Sequence, residues 1–148
     1  MRIRFMVLAA AAAVAVAGCD EKLSSLTGPT PNLQPTFSSI QHEIFDTTDA
    51  AGRQACTNCH TNAGGRNPSG GLNLVSGVSY NNLVNVVSPR RGLPRVAPGD
   101  PENSYIIHKL EGRPGILGVR MPFGNGPFLT EGQILVIKRW IELGAKND

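Results

Sequence analysis

The chain has 148 residues, 41% hydrophobic and 17% charged, with 14 Lys and Arg against 11 Asp and Glu. Two of the basic residues, Arg2 and Arg4, stand in a leader segment, and without it the balance is 12 against 11, a charge of +1 that gives no footing for nucleic-acid binding. The five Phe, one Trp and two Tyr set beside 17 Gly and 11 Pro predict a small, loop-rich body.

Taken in order, Arg2 and Arg4 precede an apolar run from Phe5 to Ala17, and Gly18 and Cys19 follow. This is the pattern of a secretory signal peptide, too short for a membrane span, which needs about 20 apolar residues. Val16-Ala17-Gly18-Cys19 resembles the lipobox of bacterial lipoproteins, which implies cleavage after residue 18 and acylation of Cys19. The division expected is a signal peptide over 1–18, a lipidated tether over 19–35 that is polar and carries three prolines, and one domain over 36–148. The location expected is the bacterial cell envelope, lipid-anchored on a periplasmic or extracellular face.

A first helix is predicted from Thr36 to Thr48, with Thr36 or Ser38 as N-cap and Phe37, Ile40, Ile44 and Phe45 on one stripe. His42 lies off that stripe and reads as solvated. After a turn over 49–52 comes Cys56-Thr57-Asn58-Cys59-His60, the C-x-x-C-H signature of covalent c-type haem attachment. In a helical turn two thiols three residues apart share a face and reach the two vinyl groups of one porphyrin edge. Cys56 and Cys59 are therefore expected to form thioether links, and His60 to be the proximal ligand of the iron. A thioredoxin-like dithiol, a zinc site and a structural disulfide are the competing readings of a C-x-x-C pair. The only other cysteine is Cys19, no second Cys or His cluster is present, and no βαβ pattern surrounds the motif.

The stretch 61–71 reads as loop, and Leu72 to Val75 as a short extended piece whose leucines lie against the haem or in an ordinary core strand. A helix is predicted from Tyr80 to Val87, with Ser79 as N-cap and Pro89 as its stop. Arg90, Arg91 and Arg95 form a basic loop that suits haem propionates, an acidic partner or plain solvent. Asp100 and Pro101 are placed as N-cap and first residue of a helix that runs through Tyr105, Ile106 and Leu110 to Gly112. Two residues compete for the far side of the iron, His108 in that helix and Met121 in the loop 119–124, and Met/His ligation suits an electron carrier. The last helix, Glu131 to Leu143, carries a capping box from Thr130 and Gln133 and an apolar face of Ile134, Leu135, Ile137, Trp140, Ile141 and Leu143, expected to meet the first helix and the haem edge.

The segments CTNCH, GGLNL, VAPGDPENSYIIHKL and RMPFGNGPFLTEGQILVIKRWIELGA, in that order over about residues 37 to 146, resemble the monohaem cytochrome c domains of bacterial secreted proteins, particularly the planctomycete-type group. The resemblance implies an all-α, cytochrome c-like domain of three to five helices, with long Gly- and Pro-rich loops around one covalent haem c. It also implies ligand roles for Cys56, Cys59, His60 and Met121. Phe123 stands where a second proline is common. The function expected is single-electron transfer, not enzymatic, with redox partner proteins in the periplasm or at the membrane and no nucleic acid. The alternative is a haem enzyme or sensor with an open or exchangeable sixth position for peroxide or a small gas.

Overall fold

A computed structural model describes residues 28–148 apart from Arg90; the leader expected over 1–18, the acylation expected at Cys19 and the first part of the expected tether lie outside the described residues. Among the described residues there are four helices and no strand, only two isolated bridges, Val84 with Val96 and Val87 with Pro94.

Helix α1 starts as Phe37–Ile40, where the Thr36 side chain accepts the amide of Ser39 as expected of an N-cap, and it widens into a π-helical stretch, Gln41–Asp46. The wider turn brings Ile40, Gln41, Ile44 and Phe45 all inside, while His42 stays exposed as the stripe predicts. Gln41 opens the wide turn and is buried there. Its amide nitrogen donates to both Asp46 oxygens and to the Leu74 carbonyl, and its oxygen accepts from the Ser79 hydroxyl. Ser79 is thus committed to a buried network and is no N-cap. Helix α2 is Ser79–Leu83, shorter than the expected run to Val87. Asn85 takes a positive φ of 59°, the chain turns back so that Val96 donates to the Leu83 carbonyl, and Val87 is left 60% exposed.

Helix α3, Tyr105–Glu111, begins four residues later than expected, with Ser104 in place of Asp100 at the cap position. Asp100 instead accepts the Asn103 amide and closes a turn ahead of the helix. Gly112, at a φ of 73°, ends α3 with a left-handed residue, as expected. Helix α4, Glu131–Glu142, has the full capping box of Thr130 and Gln133.

The core gathers these elements around Phe37. The Trp140 ring on α4 lies 5.4 Å from it, and Tyr80 meets it edge-on at 5.2 Å. Both polar tips are satisfied by the C-terminal tail, Trp140 Nε1 donating to the Lys146 carbonyl and the Tyr80 hydroxyl to that of Ala145. On α4, Ile134, Val136, Ile137, Trp140 and Ile141 are buried, each contributing about 1.5–3 kcal/mol by leaving water. Leu135 and Leu143 are 58% and 48% exposed, so the buried face is narrower than the sequence pattern suggests. A tetrad of Glu102, Glu111, Arg113 and Lys138 ties α3 to α4 from outside.

The packed body begins earlier than residue 36. Leu33 is fully buried, and Thr30 accepts from the Gln133 side chain. The carboxylate of Asp148 accepts the Phe37 amide at 2.6 Å and the Ser38 amide at 3.3 Å.

Leu33→Ala is expected to lower unfolding stability by about 2 to 4 kcal/mol in denaturant titrations, as for any fully buried leucine; a free tether residue would leave the midpoint unchanged. Burial alone would raise the Glu111 carboxyl, but hydrogen bonds from Lys138 and Arg113 outweigh it and hold its pKa below the ordinary 4.5. A carboxyl lowered on folding stabilises above its unfolded pKa, and that contribution is lost as pH falls through the folded value. The stability difference between wild type and Lys138→Met, below about 1 kcal/mol because both groups are partly wet, should therefore be complete above pH 4.5 and close below it.

Candidate functional site

One cavity of about 400 Å³ opens between the C-x-x-C-H segment and the loop that follows α3. From the first side it is lined by Ile44 and Phe45 of α1, Cys56, His60, Ser69, Gly70, Leu72 and Leu74; from the second by Tyr105, Ile106, Lys109 and Leu110 of α3, and by Leu117, Gly118, Val119, Met121 and Phe123. Leu83, Ser88 and Arg95 complete it. Both leucines of the extended piece after the motif face the cavity, and no residue of α4 does. The last helix meets α1, as expected, but supports the site from behind.

The motif is held by its own backbone. Cys56–Asn58 forms one 3₁₀ turn, and the Cys56 carbonyl accepts both the Cys59 amide (3.2 Å) and the His60 amide (2.9 Å). The His60 carbonyl in turn accepts from Leu74 at 2.8 Å, and that of Cys59 from Ser69 at 3.1 Å, so the loop 61–71 returns to the motif at both ends. His60 Nδ1 is buried and has no hydrogen-bond partner. Burial lowers the pKa of the imidazole below its ordinary 6.5; the backbone near Ser69 and Leu72 opposes this, and the charges of Arg95 and Lys109 add to it. A neutral imidazole with an unpaired nitrogen is the form that binds a metal.

The two cysteines differ. Cys56 lines the cavity, its thiol donates to the Ile44 carbonyl at 3.4 Å, and burial pushes its pKa up to about 11 against the lowering influence of Arg53. Cys59 is exposed and outside the lining. Cys59 closes the 3₁₀ turn at φ −115° and ψ −34°, its amide on the Cys56 carbonyl.

Met121 and His108, the two residues singled out for a second axial position, lie differently. Met121 lines the cavity and packs on the core, its amide donating to the Lys109 carbonyl at 2.8 Å. His108 points elsewhere: its Nε2 pairs with the Glu102 carbonyl at 2.7 Å, its ring lies against Tyr105, and it does not line the cavity. Among the described residues no three of His, Cys, Asp and Glu gather as a metal cage.

Three basic residues act here. Arg95 is buried at the cavity wall, donating to the carbonyls of Asn82 and Gly71. Lys109 is the second cation of the lining, which contains no carboxylate. Sequence reasoning singled out Arg95 but passed over Lys109 beside the more conspicuous His108. It also passed over Arg53, fully buried three residues before the motif, which pairs with Asp49 at 3.1 Å and donates to the carbonyls of Glu43, Ile44, Thr47 and Gln54. The available signal was an Asp four residues ahead of an Arg, next to a site.

No family model, no curated protein and no solved structure matches this chain.

Arg53→Met strands the buried Asp49 carboxylate and is expected to cost about 3 to 5 kcal/mol, the range for breaking one side of a buried pair. Equilibrium unfolding measures it, and a loss under about 1 kcal/mol would place the pair among surface bridges.

Proposed function

We propose that the protein is a small electron carrier of the cytochrome c kind, with one covalent haem c in the cavity between the Cys56–His60 segment and the Met121 loop. The observation that carries this reading is that His60 and Met121, an imidazole and a thioether far apart in sequence, line one apolar cavity together with Cys56.

The residues present fit such a group. Ile44, Phe45, Leu72, Leu74, Leu83, Ile106 and Leu110 give apolar walls for a porphyrin, and the unpartnered Nδ1 of His60 belongs to an imidazole kept neutral by burial. Cys56 and Cys59 would be the attachment thiols, His60 the proximal and Met121 the distal donor. Arg95 and Lys109, unopposed by any carboxylate in the lining, suit the two propionates. A haem bound there supplies the one-electron chemistry.

The chain's own part is positional. The walls exclude water from the donors, and a low dielectric strengthens every charge interaction within. A thioether donor from Met121 would fill the position that a peroxide or gas needs, which favours a carrier over the enzyme or sensor reading. The anchored, exported setting at a bacterial envelope, with acylation at Cys19 and redox partner proteins in the periplasm or at the membrane, is proposed with it. Export also removes the argument that two close cysteines mark a cytosolic redox enzyme.

The full chain, expressed with a haem-attachment system, should keep its haem through denaturation and acid extraction. It should give a low-spin ferric spectrum with the red sulfur-to-iron charge-transfer band, and Met121→Ala should abolish that band and leave high-spin iron. Haem released by extraction would sink covalent attachment, and high-spin iron in the wild type would support the enzyme or sensor reading.

A further inference from the structure

We propose that Lys109 is the positioning residue that holds Met121 in the cavity; the inference rests on the reading of Met121 as a haem ligand. The loop carrying Met121 has little packing of its own. Leu117, Val119 and Phe123 are 52%, 50% and 80% exposed, so burial alone does not fix its shape. Hydrogen bonds to α3 do.

Lys109 makes three of these, to three residues of the loop. Its carbonyl accepts the Met121 amide at 2.8 Å, and its ammonium donates to the carbonyls of Leu117, at 3.0 Å, and Val119. Those two carbonyls flank Gly118, whose φ of +77° turns them, and a Cβ built there would stand 4.0 Å from Lys109 Nζ. The loop is thus folded around the ammonium. An ammonium has three donors and no acceptor, so two carbonyls leave one N–H for the cavity that Lys109 lines. Arg120 Nε to the Leu110 carbonyl, at 2.7 Å, and the Leu117 amide to the Tyr105 hydroxyl, at 3.1 Å, add support without touching Met121.

Lys109 would therefore act on a bound haem iron in two ways. It fixes the backbone leading to Met121 and the Met121 amide itself, so that little further entropy would be lost if the sulfur bound the iron. It also sets a positive charge at the cavity wall, which would favour the iron state of lower charge. Both effects raise the reduction potential.

The test uses the haem-loaded full chain, with ferric absorption spectra and redox titration of wild type, Lys109→Met, Lys109→Arg and Gly118→Ala. Lys109→Met should lose the sulfur-to-iron band in most ferric molecules and lower the midpoint potential. Lys109→Arg, which keeps charge and donors, should retain most of the band. Gly118→Ala leaves Lys109 intact but strains the backbone that presents the two carbonyls, and should weaken the band in part; it decides the matter if Lys109→Met does not fold. A wild type without the band overturns the Met121 reading and this proposal with it. A wild type with the band, and Lys109→Met or Gly118→Ala unchanged in band and midpoint, overturns the role of Lys109 alone.

Discussion

The fully buried pair of Asp49 and Arg53 is the constraint on which the near side of the cavity depends. The π-helical end of α1 leaves carbonyls pointing at no helical donor, and each would cost about 1–3 kcal/mol if buried without a partner. The guanidinium of Arg53 reaches those of Glu43, Ile44 and Thr47, while Asp49 neutralises its charge and accepts the amides of Ala51 and Arg53. Helix end, turn and the entry to the C-x-x-C-H segment become one rigid piece. The Ile44 carbonyl that accepts from the Cys56 thiol also accepts from Arg53 at 3.0 Å. Were that sulfur converted to a thioether, the carbonyl would still have its donor.

The two sides of the cavity are secured by different physics. The His60 side rests on buried charge, a closed backbone network and the core around Phe37. The Met121 side is a loop, fastened to the last turn of α3 through the carbonyls a helix end always leaves unpaired. A ligand on the first side is fixed by packing. One on the second is held by a few hydrogen bonds, each worth about 1 kcal/mol net, and is the donor more open to tuning.

What the sequence discloses divides along the same lines. Local rules work where one residue decides. Thr36 and Thr130 cap their helices, Gly112 ends α3, and His42 faces solvent. They fail where a distant partner competes. Ser79 looks like an N-cap but hydrogen-bonds Gln41, 38 residues away, at the point where α1 widens into its π turn. Leu135 and Leu143 look like core because a helix pattern counts apolar residues without knowing which neighbours arrive. Buried Arg53 and working Lys109 were hidden for a related reason. Charged residues are read as surface by default, and only their carbonyl partners, scattered along the chain, show otherwise.

Both ends of the described chain are stapled to elements far away in sequence. Thr30 is bound by Gln133 of α4, 103 residues on, and Asp148 caps α1 from 111 residues away. Contacts this long in sequence form late, because each closes a large loop before it returns any energy. The first helix, and with it the wall behind Cys56, is held at its start by the tail. The Cys56 thiol is half-buried against that wall. A fold closed through both of its ends gives the wall little freedom to yield, so a bulky group joined to Cys56 would meet the least resistance before the tail docks.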